Sequence, residues 1–384
     1  MYLDNAATTK PSKEVIADII WCLENVWANP SSIHTPGIEA RKILEESREK
    51  VARFIGAYAD EIIFTGSGSE SNNLAIKGFL EANNMYDCIV TTQIEHPSVY
   101  NSCVYLCEKE FYKIGFAPVD STGKVNVKRF KQLISELSYF NYCFVSIMLG
   151  NNEVGSINDI KKIAQITHYH KGILHVDATQ SIGQIPVDVK ELGCDLLTFS
   201  AHKLGLPRGT GVLYKKKGIK LSPIIHGGHQ EQGLVAGTEN LANIYALGNQ
   251  LERLSEKSFP SSETRDYLYK KIYEKCEQLN IPVKLNGDIV DRLPNNLSLT
   301  FKGINAEALI TLLDMRNIQV SAGSACSSGT KEPSRILKVI GLSDEEAFST
   351  VRISIGIDTA TEECDEFVRI LVKCLNIIKM MGGE

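Results

Sequence analysis

Apolar runs of only a few residues recur along this chain, and several are separated from the next by a stretch with helical spacing. The runs cover 61–65, 88–92, 142–149, 173–176, 196–200 and 211–214. A strand with one wet face alternates apolar and polar residues, and these runs do not. They read as strands buried on both faces, which requires helices above and below. Helices are expected at 12–26, with Ser12 as cap, at 38–55, stopped by Gly56, and at 70–82 and 160–169. The expected fold is α/β, with a largely parallel, twisted sheet covered on both faces. The character changes near residue 250, where a polar helical stretch and a break containing Pro260 lead into a second unit. That unit carries helices at 264–279, 306–316 and 362–380 and strands at 296–301 and 351–355, with the boundary near 255.

Composition removes several function classes. With 43% apolar and 23% charged residues, a 384-residue chain is neither disordered nor coiled coil. A net charge of -5 gives no bulk support for polyanion binding, so direct nucleic-acid contact is not expected. Met1-Tyr2-Leu3-Asp4-Asn5 has no signal-peptide pattern, and no window reaches the length of a membrane span. The expectation is a cytoplasmic protein with reduced thiols. Its ten cysteines form no CxxC pair and no zinc-ligand spacing with histidine. His226 and His229 have no further ligands in view, so no metal is expected. His168 and His170 are expected on a helix, two apart and solvated.

Four segments carry chemistry. In Ser200-Ala-His202-Lys203 an apolar strand runs out into a lysine ahead of a glycine-rich turn. Lys203 reads either as an ordinary exposed lysine or as a Schiff-base lysine with Ser200 and His202 as phosphate donors. In His175-Val-Asp177-Ala-Thr-Gln180 a carboxylate ends another strand. Asp177 is either a helix cap or the acidic partner of a cofactor's pyridinium nitrogen. The Gly66-Ser-Gly68-Ser69 loop presents backbone N–H groups to an anion but matches neither Walker A nor GxGxxG. Cys326, in Gly323-Ser-Ala-Cys326-Ser-Ser-Gly329, sits among small residues, where a thiol is accessible and reactive or merely tolerated.

Taken with Tyr2-Leu-Asp-Asn-Ala-Ala-Thr-Thr9, Asn29-Pro-Ser-Ser-Ile-His34, Glu95-His96-Pro-Ser98, Asn151-Asn152-Glu153-Val-Gly155, Ala236-Gly-Thr238-Glu-Asn240, Glu332-Pro-Ser334 and Arg352-Ile-Ser-Ile-Gly356, these segments resemble the cysteine desulfurases of the NifS/IscS type. Those belong among the class-V aminotransferase-like enzymes that use pyridoxal 5'-phosphate (PLP). The resemblance runs nearly end to end. It implies a fold-type I PLP-dependent transferase, with a mostly parallel seven-stranded sheet in a large domain, 15–255. A smaller α+β domain, 1–14 and 256–384, would carry the cysteine loop.

It also implies site roles. Lys203 would hold the cofactor covalently, Asp177 would face the pyridine nitrogen and Gln180 the phenolic oxygen. His96 would stack on the ring and handle protons. Gly68, Ser69, Ser200 and His202 would hold the phosphate, and Thr238 would reach that of a neighbouring subunit. Asn152 would lie by cofactor and substrate, and Arg352 would clamp the substrate carboxylate with it. Cys326 would take sulfur from L-cysteine as a persulfide and leave L-alanine. The Cys326 segment resembles the longer-loop group, which passes persulfide to partners directly. The implied partners are a second copy, as a homodimer, and a sulfur acceptor, either an iron–sulfur scaffold or a tRNA-thiolating enzyme. Gln232 and Val235 stand where relatives often carry arginine. Other readings are a selenocysteine lyase, another class-V aminotransferase or lyase, and a non-catalytic scaffold.

Overall fold

A computed structural model describes residues 1–110, 112–137, 142–323 and 332–381. Cys326 lies outside the described residues. The first sheet has seven strands: β1 (Ile62–Thr65), β2 (Tyr86–Thr91), β3 (Lys113–Phe116), β4 (Tyr142–Met148), β5 (Ile173–Asp177), β6 (Leu196–Ser200) and β7 (Gly211–Lys215). Their order is β1-β7-β6-β5-β4-β2-β3. From β6 to β3 every pairing is parallel, and β7 runs antiparallel to both β6 and β1. Every residue of β6 is buried, as its largely apolar run predicts. Helices Lys13–Asn25, Thr35–Phe54 and Leu241–Ser255 pack on one another beside this sheet. The first is capped by Ser12, as expected. The stretch 70–82 is helical, with a wider turn at Leu74–Gly78 between α-helical pieces.

The second sheet is antiparallel and three-stranded, in the order β10 (Thr350–Ser354), β9 (Asn296–Phe301), β8 (Val283–Asn286). Helices Glu263–Gln278, Ala306–Asp314 and Thr361–Met381 pack with it around a separate core that includes Leu3, Phe301 and Phe367. The N-terminal segment reaches this unit through bridges from Tyr2 to Gln319 and Asp4 to Ser354. Phe367 is fully buried in that core. Phe367→Ala removes its ring and leaves a cavity, so a loss of about 3–5 kcal/mol is expected in urea unfolding.

One expectation needs correcting. His168 is not simply solvated: its Nε2 meets Asp195 Oδ2 at 2.7 Å. Asp195 is buried at the start of β6, and Lys216 also donates to it at 3.0 Å. A buried carboxylate needs such partners, and the helix end carrying His168 supplies one. His170 caps the end of that helix.

Parallel pairing gathers the carboxyl ends of β4, β5 and β6 along one edge, the usual place for a site in such a sheet. Met148 is level with Asp177, and Ser200 with Gly211. Gly211 in turn is level with Thr65, the last residue before the Gly/Ser loop.

Candidate active site

A cavity of about 350 Å³ opens at this edge. Its lining includes Gly68, Ser69, His96, Asn152, Asp177, Gln180, Ser200, His202, Lys203 and Arg352. Of the residues expected at the site, these come together. Thr238 is exposed and outside the lining.

Lys203 ends a single 3-10 turn that follows β6 directly. Its Nζ donates to the carbonyls of Ala6 and Ala7, each at 2.5 Å. Gln180 Nε2 donates to the Ala6 carbonyl as well, at 3.1 Å. The N-terminal segment is thus a wall of the cavity, held in place where Thr9 donates to the His202 carbonyl at 2.8 Å.

Asp177 is 5% exposed. Its Oδ1 accepts from the Thr179 backbone N–H at 2.9 Å, the turn-capping role that its position allowed. Its Oδ2 accepts from Asn72 Nδ2, also at 2.9 Å. The same Asn72 amide donates to Ser98 Oγ at 2.9 Å, and Ser98 Oγ meets His96 Nδ1 at 2.8 Å. The Ser98 backbone N–H donates to His96 Nδ1 at 3.2 Å. Because Nδ1 accepts there, the ring proton of neutral His96 belongs on Nε2. Burial holds the His96 pKa below its ordinary value; Asp177 pulls it up, and Lys203 and Arg335 push it down. His96 is therefore neutral at neutral pH, with Nδ1 engaged by Ser98 and Nε2 carrying the proton. His202 is pushed down to about 4, first by burial and then by Lys203 and Arg208.

Gly68 and Ser69 open a short helix capped by Ser67, whose Oγ accepts from the Glu70 N–H at 3.1 Å. The loop approaches β7 closely: a Cβ on Gly211 would lie 2.3 Å from the Ser67 carbonyl carbon. A Cβ on Gly68 would lie 3.1 Å from Ser200 Cβ. Only glycines permit this packing.

Arg352 rises from β10 and is 2% exposed. One Nη donates to the Asn152 carbonyl at 2.9 Å, the other to Asp4 Oδ1 at 2.8 Å. Its Nε has no hydrogen-bond partner among the described residues, nor does Asn152 Oδ1. A buried arginine whose Nε–H is unpaired suits an incoming carboxylate, which only accepts. The cradle at Gly68 and Ser200, the buried Asp177 and Lys203 between them fit a phosphorylated pyridine such as PLP.

Asn72, Ser98 and Asp4 were not assigned roles by sequence reasoning. Ser98 and Asp4 lie inside quoted motifs, and that membership was the available signal; Asn72 lies outside them. Of the nine described cysteines, eight are buried and Cys107 is half-buried. Burial pushes the Cys22, Cys276 and Cys364 thiols up to about 11 and Cys103 to about 12. These are poor nucleophiles. Among the described residues no cluster of His, Cys, Asp and Glu could hold a metal ion, and no helix is long and apolar enough to cross a membrane.

The family model for class-V aminotransferases matches residues 1–367. A cysteine desulfurase IscS of Dictyoglomus turgidum is 39% identical over 387 aligned positions, covering 100% of this chain and 96% of the relative. Among solved structures, a NifS-like protein superposes with a TM-score of 0.88 at 33% identity, covering 98% of this chain and 99% of that one. The structure of SspA in complex with cysteine gives a TM-score of 0.79 at 32% identity, covering 92% of this chain and 98% of that one.

Proposed function

This chain belongs to the class-V aminotransferase family, and from that premise we propose that it is a PLP-dependent cysteine desulfurase. The carrying observation is that Lys203, Asp177, His96 and the Gly/Ser loop face one cavity, in a chain similar end to end to proteins of that name. When bound, PLP supplies an electron sink for the carbon that bears the substrate's amine.

The chain's own residues do the rest. Lys203 would hold the cofactor and, with its amine free, would carry a proton at the substrate carbon. Asp177, oriented by Asn72 and Thr179, would face the pyridine nitrogen. Gln180 would face the phenolic oxygen. Gly68, Ser69, Ser200 and His202 would hold the phosphate. Neutral His96 presents its Nε2–H on the substrate side. Arg352 and Asn152 bind the substrate carboxylate.

Cys326 receives the sulfur. The carbon–sulfur bond of L-cysteine breaks, a sulfur–sulfur bond to Cys326 forms, and the carbon gains a proton. L-cysteine and the Cys326 thiol thus become L-alanine and a Cys326 persulfide, with nothing left over. Incubation of PLP-loaded protein with L-cysteine and a thiol reductant tests this. L-alanine and sulfide in equal amounts are the expected products, and alanine without sulfide contradicts the reading.

The cradle gives a second test. Gly211→Ala should push the Ser67 carbonyl away from β7 and displace the loop from Ser200. Retention of PLP on dialysis, followed by its absorbance, should weaken by about tenfold, the worth of roughly one charge-assisted hydrogen bond.

Two further elements belong to the same reading. The protein works as a homodimer in the cytoplasm, with Thr238 reaching the neighbouring subunit's phosphate. The exposure of Trp27 (75%) and Ile33 (91%) supports a covered surface there. Its persulfide goes to an iron–sulfur scaffold or a tRNA-thiolating enzyme.

A further inference from the structure

Arg335 links two parts of the molecule that the desulfurase reaction must hold in register. It is the first residue of the short helix Arg335–Val339, three positions after Glu332, where the described chain resumes beyond the Cys326 segment. One Nη donates to the Gln93 carbonyl, the other to the Glu95 carbonyl at 2.8 Å. The guanidinium carbon also lies 3.9 Å from the Tyr100 ring centroid. The two carbonyls belong to the turn that ends in His96. A planar fork can span two carbonyls at once and stack on a ring; an ammonium cannot do both.

The rest of the helix is fixed too. Ile336, Leu337 and Ile340 pack against Ile94 and Val154. Ser334 Oγ donates to Glu153 Oε2 at 2.5 Å. Gly323, on the other flank of the Cys326 segment, adopts φ +56°, and a Cβ there would lie 3.1 Å from that same oxygen.

We propose that Arg335 is a positioning residue of the desulfurase reaction: its fork on the Gln93 and Glu95 carbonyls fixes the aim of His96 and ties it to the chain leading back from Cys326. The proposal rests on the function above. The guanidinium is also one of several charges around His96. Asp177, Lys203 and His202 face it across the cavity, with Arg208 and Arg352 in the same lining, and Glu95 precedes it. Burial pushes the Glu95 carboxyl up to about 8, so at neutral pH it adds little negative charge. Removing Arg335 takes away a cation and lets His96 keep its proton to higher pH.

The test compares wild type, Arg335→Ala and Arg335→Lys, all PLP-loaded, by PLP absorbance, melting temperature and alanine formation against pH. Arg335→Ala should load PLP and melt as wild type does. Its kcat should fall about ten- to a hundredfold, the usual cost of a small misplacement, with KM nearly unchanged. The acid limb of its pH profile should move to higher pH. Arg335→Lys should return the acid limb to its wild-type position without restoring kcat. Wild-type kcat in Arg335→Ala overturns the proposal. So does full rescue by lysine, which would leave charge alone as the cause, and so does loss of PLP loading, which would make the role structural. Wild-type protein that makes no alanine from cysteine overturns the functional reading itself, a distinguishable result.

Discussion

Lys203→Ala should lose turnover of L-cysteine by about a hundred- to ten-thousandfold, the range set by removing one positioned acid–base group. The variant should also release PLP on dialysis, which the wild type should not. The reason is geometric. Lys203 extends from a single turn after a fully buried strand, and its Nζ is steered by the Ala6 and Ala7 carbonyls. No other described lysine lines the cavity. Melting of the cofactor-free variant should fall slightly below that of cofactor-free wild type, because the Ala6 and Ala7 carbonyls lose their donor. Dialysis followed by absorbance checks the first effect and alanine assay the second.

Cys326→Ser should be as severe in turnover and different in kind. The variant should load PLP normally, because none of the residues proposed to hold the cofactor is changed. Sulfide release should fall roughly a thousandfold, since an alcohol cannot accept sulfur as a persulfide and serine is a far weaker nucleophile than a thiolate. The described cysteines cannot take over: eight are buried, and no described cysteine lines the cavity. Normal PLP absorbance with lost sulfide release would separate this variant from Lys203→Ala. Wild-type sulfide release would remove Cys326 from the account.

Much of the central sheet was legible because its inner strands are buried on both faces and so read as largely apolar runs. The run at 196–200 coincides with β6, and that at 142–149 with β4 to within a residue. The edges were harder. β3 lies at the end of the sheet, with Lys113 exposed and Gly115 inside it, so its pattern is weak. β8 carries Lys284 and Asn286 for the same reason. The helix Pro97–Glu110 has only a narrow buried stripe of Val99, Ser102, Cys103 and Leu106, and two of those four are not strongly apolar.

The site shows a similar split. Lys203 and Asp177 stand at strand ends, where a pattern of apolar residues stops, and this made them visible. Asn72 gave no such signal. Its value comes from touching Asp177 and Ser98 together, which only the packing of two separate helical segments creates. The Arg352–Asp4 pair joins residues 348 positions apart, and no spacing rule reaches that far. Lys203 meets backbone carbonyls of Ala6 and Ala7, whose side chains say nothing about that contact.

The account turns on sulfur passing from L-cysteine to one particular thiol. Its most direct test is mass spectrometry of PLP-loaded protein after brief exposure to L-cysteine, alkylation and proteolysis. The peptide carrying Cys326 should gain the mass of one sulfur atom, in step with L-alanine formed, and peptides carrying the other cysteines should not. Alanine formed with no added sulfur on Cys326, or with the sulfur on another cysteine, would contradict the account.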